Sequence, residues 1–577
     1  MYRFCFFVFL FGLAWQCAFP QRNNFIQAYD SMHAKISNEY PMGKWKGIDW
    51  DDLNAAIRPK IEAAAVTGDS IGFYTALQEY ITCIHDGHVN IRRGWQHIRS
   101  SAMYRSIGGS YGFSTTLLDD GRLVATLINP GSPASLAGMK FGATILAVND
   151  RTAASVLDTV KVLWSEIIPA TGEGKLMNQC RFIGRAPVGA TMKITYRNRD
   201  DSAPVTAVLN AVDDQYATYN QTSMWVYDPG PVVTSAILQP EGYGYIKLTG
   251  ETAGNDSNVT KQVYADFRDA LLNIRNSGSH GLILDMRVNS GGMDALSAAL
   301  AGFFYNDTAL YEMLTWFNTE TRMLEPIPLP IATFDPVTLQ PRYNPAYPNG
   351  AQYIEPQSFN FPHPVMVLVS PRAISSGEGL PMALQKLPQC KVLGFHGTNG
   401  SFALVGTFYN IIGPPDSLNL RFPFGCSTDR SLNIQLDSDS TMTGGVIPDI
   451  RVPMNDTVID QLYCDSLDVE MRYAIKMLNS ILATEEPSDW ETSVTLEQNV
   501  PNPFNAFTDI SCFLPLEMNV TLDVLDLSGR KLRTLIDEKL TAGWHTTRFT
   551  AGNLPPGIYL YRLKGGNAIL TRKCLIR

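Results

Sequence analysis

The 577-residue chain lacks the patterns of several large protein classes. None of its nine cysteines forms a Cys-x-x-Cys pair, so the sequence indicates neither a zinc site nor a redox motif. Its formal net charge of −9 argues against a nucleic acid as the main partner. Beyond the first residues, no apolar run predicts a transmembrane segment. A globular protein remains, because hydrophobic residues make up 45% of the chain and charged residues only 18%.

The first residues have the features of an export signal. Arg3 is the only early charge, and the apolar run from Phe4 to Trp15 is too short to cross a bilayer. We therefore predict a signal peptide over residues 1–18. Seven cysteines remain after it, and an odd number cannot all pair internally. Export is compatible with one or two disulfides, whose pairing the sequence does not determine.

A chain of this length exceeds what one hydrophobic core supports, so several domains are expected. Apolar residues at helical spacing predict an N-terminal helical domain over residues 19–103. Strands alternate with helices over residues 236–480, which is the pattern of an α/β core. Within it, residues 306–362 are rich in proline, asparagine and aromatic side chains and are predicted to be a long insertion. Short strands between glycine and proline turns predict a C-terminal β-sandwich over residues 494–577, after a linker at 482–493.

A serine pair stands between a predicted strand and a predicted helix. Residues 365–369 form an apolar β-branched run typical of a buried strand, and residues 379–387 are predicted to be helical. Ser375 and Ser376 lie at the turn between them. A serine there suits nucleophilic catalysis, because backbone N–H groups at the helix start can face a developing oxyanion. From the residues alone, the alternative is a helix N-cap, which needs no chemistry.

This segment resembles the nucleophile segment of the C-terminal processing and tricorn-core serine peptidases, the S41 peptidases. Upstream, residues 285–292 read Asp-Met-Arg-Val-Asn-Ser-Gly-Gly and resemble the Asp-Leu-Arg-x-Asn-x-Gly-Gly motif of that family. The resemblance implies a crotonase-like α/β core in which Ser375 is the nucleophile. It also implies that the N–H groups of Ser376 and of Gly291 or Gly292 form the oxyanion hole. The alternative for the two glycines is a tight turn after a strand.

The base is predicted to be a histidine. The lysine of the C-terminal processing branch is missing, because alignment on Ser375 puts Gly400 at its position. The tricorn-like branch uses a histidine, and residues 86–88, Asp-Gly-His, resemble its Asp-x-His segment, which implies His88 as the base. His85 lies one helical turn away, so a metal pair is an alternative. No third ligand is evident, and neither a metal nor an organic cofactor is predicted.

A third group should orient the histidine. The resemblance implies a glutamate ahead of the Gly-Val-Ile-Pro-Asp motif at residues 445–449, but Met442 and Thr443 occupy that position. Asp437 is predicted to substitute, and Asp439 is an alternative; either can equally be a solvated loop carboxylate. His396 is the competing base.

Residues 104–212 resemble a PDZ domain of the bacterial protease type. The resemblance rests on Gly-Ser-Tyr-Gly-Phe ahead of a strand and on the Pro-Gly-Ser-Pro-Ala segment at residues 130–134. It implies that the loop of Tyr111, Gly112 and Phe113 binds the C-terminal carboxylate of a peptide, while the peptide adds a strand to the sheet edge. The alternative is a PDZ domain that acts only as an intramolecular lid or spacer.

The tail closely resembles the C-terminal sorting domain of the type IX secretion system. The resemblance is carried by Asn-Pro-Phe-Asn at residues 502–505, Leu-Ser-Gly-Arg at 527–530 and Pro-Gly-Ile-Tyr at 556–559. It implies export across the outer membrane, with the type IX machinery as a partner. A plain accessory sandwich, such as a carbohydrate-binding module, is the alternative.

Together these features predict a multidomain α/β and β protein, secreted or displayed at the cell surface. Its predicted activity is hydrolysis of peptide bonds in a peptide or protein substrate, with PDZ-assisted recognition. The alternative is a non-catalytic peptide- or ligand-binding protein on the same fold. The missing lysine and the altered acid position motivate that alternative.

Overall fold

The computed structural model forms two compact units, Met1–Leu478 and Asn479–Arg577. The predicted signal peptide and residues 483–493 of the predicted linker lie outside the residues that the structure describes. Within the described part of the chain, no helix is both long and apolar enough to cross a bilayer, and the seven cysteines are free thiols. The structure describes residues 24–92, 96–223, 230–251, 257–329, 333–335, 341–406, 409–411, 418–482, 494–514, 517–526, 529–541, 543–565 and 568–577.

The helices and strands are numbered along the chain. The helices are α1 (described over residues 24–39), α2 (Trp50–Thr67), α3 (Ser70–Thr82), α4 (Gln96–Ile107), α5 (Pro133–Leu136), α6 (Ala153–Leu157), α7 (Gly172–Phe182), α8 (Ala217–Gln221), α9 (Ser257–Asn276), α10 (Asp294–Ala301), α11 (Ser376–Gln385), α12 (Asp456–Tyr463) and α13 (Val469–Leu482). The strands of the first unit are β1 (Asn90–Arg92), β2 (Gly109–Ser110), β3 (Phe113–Leu117), β4 (Leu123–Ile128), β5 (Thr144–Val148), β6 (Arg151–Thr152), β7 (Arg185–Ala186), β8 (Thr191–Arg197), β9 (Val205–Asn210), β10 (Val212–Asp213), β11 (Val233–Ile237), β12 (Gly244–Leu248), β13 (Leu282–Asp285), β14 (Ala309–Asn318), β15 (Met323–Pro326), β16 (Thr333–Phe334), β17 (Pro341–Arg342), β18 (Ala351–Ile354), β19 (Val365–Leu368), β20 (Cys390–Gly394), β21 (Leu404–Val405), β22 (Tyr409–Ile411), β23 (Leu418–Arg421), β24 (Pro423–Thr428) and β25 (Ile450–Arg451). The strands of the second unit are β26 (Thr495–Leu496), β27 (Phe507–Leu514), β28 (Met518–Leu525), β29 (Lys531–Leu540), β30 (Gly543–Thr550), β31 (Gly557–Gly565) and β32 (Ala568–Ile576).

The N-terminal region is helical, as its apolar spacing predicts. Helix α2 starts after Asp49, whose side chain accepts the N–H groups of two residues of its first turn. Helix α3 starts after Asp69, which caps it in the same way through Gly72. Large side chains of these helices, such as Phe73 and Tyr80, are completely buried in one hydrophobic cluster. The packed helices hold the loop that follows α3, and this loop carries His88.

Residues 104–212 contain an antiparallel sheet in the order β3-β4-β5-β8-β9, with β6 paired to β5. A separate hydrophobic cluster, which includes Ile145, Ile194 and Tyr196, fills its interior. Helix α7 packs directly on β3, where the Thr115 hydroxyl donates to the carbonyl of Cys180 at 2.8 Å. The predicted β-rich character of this region is therefore present, and α7 covers its first strand.

The α/β core is built on a six-stranded sheet in the order β11-β12-β13-β19-β20-β25. All neighbours are parallel except β11, which pairs antiparallel with β12. Helices α9, α10 and α11 cover one face, and α12 and α13 cover the other. Because helices cover both faces, β13 and β19 are buried throughout, and a strand buried on both faces has a nearly continuous apolar sequence. Their carboxyl ends lead into the loops of Gly291 and Ser375, the edge at which such sheets bind ligands.

The predicted insertion at residues 306–362 contains regular structure. Its ten-residue strand β14 pairs with β15, β18 and β24 to form a second sheet. The apolar pattern of this strand is hard to recognise in the sequence, because two of its completely buried residues, Glu312 and Thr315, are polar.

The second unit contains two antiparallel sheets, β26-β27-β30 and β29-β28-β31-β32. Side chains from both sheets, such as Ile510, Leu522, Phe549 and Tyr561, share one buried cluster. The C-terminal β-rich module is thus confirmed.

Candidate active site

Ser375 lies at the sharp turn between β19 and α11. Its backbone has φ 60° and ψ −136°, a conformation that L-residues rarely adopt and that costs about 1–3 kcal/mol. Its N–H donates to the Ser401 carbonyl at 2.9 Å, and its carbonyl accepts the N–H of Glu378 at 2.8 Å. The side chain makes no capping hydrogen bond to the helix. The half-buried hydroxyl is therefore held at a strained strand-to-helix turn without a capping role.

Two backbone donors next to Ser375 are available. The N–H groups of Ser376 and Gly292 have no hydrogen-bond partner within the described residues. Gly291 has φ +79° and packs on the serine so closely that a methyl group there would lie 2.5 Å from the Ser375 Cβ. Its own N–H already donates to Asn289 Oδ1 at 2.8 Å. Of the two predicted glycine donors, the exposed Gly292 is thus the one free to bind an oxyanion.

Hydrogen bonds to carboxyl groups hold this donor loop and the first residue of α11 in place. The Ser376 hydroxyl donates to Asp294 Oδ1 at 2.6 Å. Asn289, which binds the Gly291 N–H, donates in turn to Glu251 Oε1 at 2.9 Å. Burial raises the pKa of Asp294 to about 6 and that of Glu251 to about 8. The donor loop and the helix start are therefore held by hydrogen bonds to two carboxyl groups, of which Glu251 is completely buried and Asp294 half-buried.

His88 lies in the loop between α3 and β1, only 8% exposed. The backbone N–H of His88 donates to Asp86 Oδ1 at 2.8 Å, whereas its ring Nδ1 lies 3.8 Å from the same oxygen. Asp86 is completely buried and accepts the Tyr40 hydroxyl at 2.6 Å. Burial lowers the pKa of His88 to about 4, against the opposing effect of Asp86. The ring is thus neutral near pH 7, which is the form a general base needs.

Ser401 joins the segments of His88 and Ser375. Its carbonyl accepts the Ser375 N–H, and its hydroxyl accepts the Gly87 N–H, both at 2.9 Å. One residue therefore bridges the turn of the predicted nucleophile and the loop of the predicted base.

Glu378 fixes the turn that holds Ser401. It is completely buried in the first turn of α11, and its carboxylate accepts the N–H groups of Gly400 and Ser401, each at 2.8 Å, and the Thr398 hydroxyl. Burial raises the pKa of Glu378 to about 7 despite these hydrogen bonds. Glu378 therefore has a structural role, because it fixes the turn of residues 398–401 beside Ser375.

Asp437 is buried near Asp86, and its side chain bonds to Phe402 and not to His88. Its Oδ1 accepts the Phe402 N–H at 3.0 Å, and its Oδ2 has no hydrogen-bond partner within the described residues. Burial, and next to it the charge of Asp86, raise the pKa of Asp437 well above its usual range. Asp86 is the acid whose oxygen lies within 4 Å of the His88 ring. The role predicted for Asp437 stays a prediction.

The other predicted histidines have different surroundings. His396 Nδ1 lies 4.0 Å from Glu173 Oε2, and its side chain lines a pocket of about 360 Å³ with Arg287 and Arg372. Burial lowers the pKa of His85 to about 4, and its Nδ1 is buried without a partner within the described residues. In the described ranges, no group of three or more histidine, cysteine or acidic side chains has a geometry suited to a metal ion.

The predicted carboxylate-binding loop is engaged within its own domain. The Tyr111 N–H donates to the Gly184 carbonyl, and the Gly112 N–H donates to the Ser110 hydroxyl, both at 2.9 Å. The side chains of Tyr111 and Phe113 are buried in the cluster of residues 104–212. Peptide binding by this loop stays a prediction.

Sequence reasoning missed three residues that support the site. Tyr40 and Lys46 lie far from every motif in the chain, and no local signal marks them. Ser401 follows the turn in which the family lysine was sought, so its position, although not its role, was visible in the sequence.

Two family models match the chain. The model of peptidase family S41 matches residues 242–452, the region of the six-stranded sheet and of Ser375. The chain carries an S41 peptidase domain. The model of the secretion system C-terminal sorting domain matches residues 500–577, so this peptidase is exported through type IX secretion to the cell surface or the extracellular space. No curated protein matches the sequence.

Solved structures support the same fold for the peptidase. Mature CPAF is 12% identical with a TM-score of 0.52, and the match covers 81% of this chain and 99% of that one. Mature CPAF complexed with lactacystin is 13% identical with a TM-score of 0.50, covering 79% and 99% of the two chains. The photosystem II D1 C-terminal processing protease is 16% identical over 80% and 98% of the chains, but its TM-score of 0.32 is too low to inform the fold. At these identities the CPAF matches establish the fold alone.

Gly87→Ala should disturb the peptidase site. A methyl group at position 87 would lie 2.6 Å from Ile374 Cδ1 and 2.8 Å from Asn399 Oδ1, so the loop of His88 must shift. A displacement of about 1 Å can cost about 100-fold in rate, and we expect the rate of Ser375 labelling by a fluorophosphonate to fall by about that factor. Gly172→Ala is the matched control, because its nearest atom would be 4.0 Å away. Equal labelling of both variants would contradict the close packing of the two loops.

Proposed function

We propose that the chain is a secreted serine peptidase in which Ser375 attacks the substrate carbonyl and His88 is the general base. The observation that carries this proposal is the strained, half-buried Ser375 beside two unpaired backbone N–H groups, bridged to the loop of His88 by Ser401. This arrangement contains the groups that acyl transfer requires, a nucleophile, a base and an oxyanion site.

The proposed reaction proceeds through an acyl-enzyme. His88 takes the proton of the Ser375 hydroxyl while the Oγ of Ser375 bonds to the peptide carbonyl carbon. The N–H groups of Ser376 and Gly292 stabilise the resulting oxyanion. As the carbon–nitrogen bond breaks, the protonated His88 gives its proton to the leaving amine. Water, deprotonated by the neutral histidine, then hydrolyses the ester and restores Ser375.

We assign the orientation of His88 to Asp86 rather than to Asp437. Asp86 is the nearer acid, and the Tyr40 hydroxyl fixes its second oxygen. The 3.8 Å separation from the ring closes to a hydrogen bond when the imidazolium forms, because catalytic contacts often tighten only in the transition state. Asp437 instead holds the backbone of Phe402, one residue after Ser401.

The domain boundaries 19–103, 104–212, 236–480 and 494–577 remain our proposal. For residues 104–212 we propose a PDZ-like domain that gates or presents the substrate. Its α7 supports this role, because Glu173 accepts the Gly397 N–H at 3.0 Å and so contacts the core close to the turn of Ser401.

A non-catalytic binding protein on the same fold is the second candidate. The observation that favours it is the His88 Nδ1, which is buried without a hydrogen-bond partner within the described residues. Without a hydrogen bond at this ring nitrogen, no acid among the described residues orients the imidazole of His88 in the observed arrangement.

A fluorophosphonate probe separates the two candidates. We expect the purified full chain to be labelled on Ser375, as located by peptide mass spectrometry. Ser375→Ala should abolish the label, and His88→Ala should slow it by about 100- to 10,000-fold, the usual contribution of a general base. His97→Ala, which removes an exposed histidine of α4, should label as the wild type does. Absence of label in the wild type would favour the binding protein.

The pH dependence of labelling should report the buried base. Because burial lowers the pKa of His88 to about 4, the ring stays neutral well below the ordinary value of 6.5. We therefore expect the labelling rate to hold as pH falls through 6.5 and to drop only near pH 4. A drop centred at 6.5 would mean that the base is a solvated histidine instead.

The sorting domain should be needed for export but not for chemistry. We expect deletion of residues 494–577 to leave Ser375 labelling intact in cell lysates and to abolish the labelled protein outside the cell. The second unit has its own hydrophobic cluster, so the deletion removes no buried side chain from the clusters of the peptidase. Normal surface display of the truncated chain would refute the sorting role.

A further inference from the structure

The ammonium of Lys46 is buried between two segments of the site. Lys46 is 9% exposed, although it lies in a loop between α1 and α2. Its Nζ donates to the His85 carbonyl at 3.1 Å, to the Ser438 carbonyl at 2.9 Å and to the Ser438 hydroxyl at 2.8 Å. All three donors of the ammonium are thus used, and none of these acceptors is a carboxylate.

The two acceptor residues belong to the opposite sides of the site. His85 begins the loop that carries Gly87 and His88. Ser438 donates its N–H to the Gly400 carbonyl at 3.1 Å, next to Ser401. Lys46 therefore touches the loop of the base and, through one backbone hydrogen bond, the turn that holds Ser375.

Neighbouring contacts reinforce this placement. The Trp45 indole N–H donates to the Asp437 carbonyl at 2.9 Å. Gly47 packs on Ser440, where a methyl group would lie 3.0 Å from its Cβ. The loop around Lys46 thus lies along residues 437–440.

The charges around Lys46 explain why a cation is tolerated there. Its charge opposes the rise in the pKa of Asp437 and lowers the pKa of His88, His85 and Asp439. The other charged groups that act on His88 are Asp86, from its own loop, and Arg421, from β23. Lys46 thus favours the charged form of the buried Asp437, and its removal would raise the pKa of that carboxyl further.

We propose that Lys46 is a positioning residue of the peptidase, which fixes the loop of His88 against the turn of Ser401 and Ser375. The inference rests on the proposed function, because it assumes that His88 is the base for Ser375. Hydrogen bonds from one buried ammonium to two segments add to those of Ser401 in constraining the separation of the base and the nucleophile.

Fluorophosphonate labelling of the purified full chain across pH tests this role. We expect Lys46→Met to slow the labelling of Ser375 by about 10- to 100-fold, as a small displacement of a base would. The drop in rate at acid pH should also move to slightly higher pH, because Lys46, which together with burial and Arg421 lowers the pKa of His88, is gone. Lys46→Arg keeps the charge and should restore the wild-type position of that drop. Lys44→Met, which removes an exposed lysine two residues away, should match the wild type in both rate and pH dependence.

A second variant decides the case in which Lys46→Met fails to fold, as judged by its thermal transition. Ser438→Ala removes one acceptor and keeps the charge, so it should slow labelling several-fold and leave the pH of the drop unchanged. If folded Lys46→Met or Ser438→Ala were labelled at the wild-type rate, this inference would be overturned and the proposed function would stand. A wild type that is not labelled on Ser375 would overturn the proposed function, and this inference with it.

Discussion

The site depends on one residue, Ser401, which bonds to three parts of the peptidase unit at once. Its carbonyl holds the N–H of Ser375, its hydroxyl holds the N–H of Gly87, and its N–H is held by Glu378. The strained backbone of Ser375 persists only because its surroundings over-determine it, and Ser401 supplies one of those constraints. The proposed acyl transfer needs a nucleophile and a base at a fixed separation, and hydrogen bonds to one common neighbour, Ser401, link the two segments that carry them.

Buried carboxyl groups form the second layer of this arrangement. Glu378, Asp437, Asp294 and Glu251 each bind a backbone or side-chain donor beside the site, and burial raises the pKa of all four. Carboxyl groups of this kind are costly to bury, and they remain favourable only while their hydrogen bonds are satisfied. The frame around the nucleophile is therefore polar and directional, whereas the sheet beneath it is held by apolar packing.

The sequence predicted those parts of the molecule whose signals are local. Short sequence motifs encode two such parts, the strand-to-helix turn of Ser375 and the loop of Gly291 and Gly292. The roles of Lys46 and Tyr40 could not be predicted, because each acts on residues distant in the chain and neither belongs to a motif. The proposed orientation of His88 shows the same limit, because the sequence motif directs attention to residue 437, whereas the acid that we propose, Asp86, lies two residues from the histidine. Strand β14 was missed because a buried glutamate interrupts its apolar run.

The contact between Lys46 and Ser438 spans 392 positions of the chain, and it lies among the last contacts that a growing polypeptide can make. Contacts of such long range form late in folding, because a large loss of chain entropy precedes them. The loop of Lys46 and the segment of Ser438 therefore come into contact only after most of the first unit has been synthesised. A chain whose synthesis has passed Ser375 but has not yet reached Ser438 carries both Ser375 and His88 but lacks the contact of Lys46 that spans their two segments.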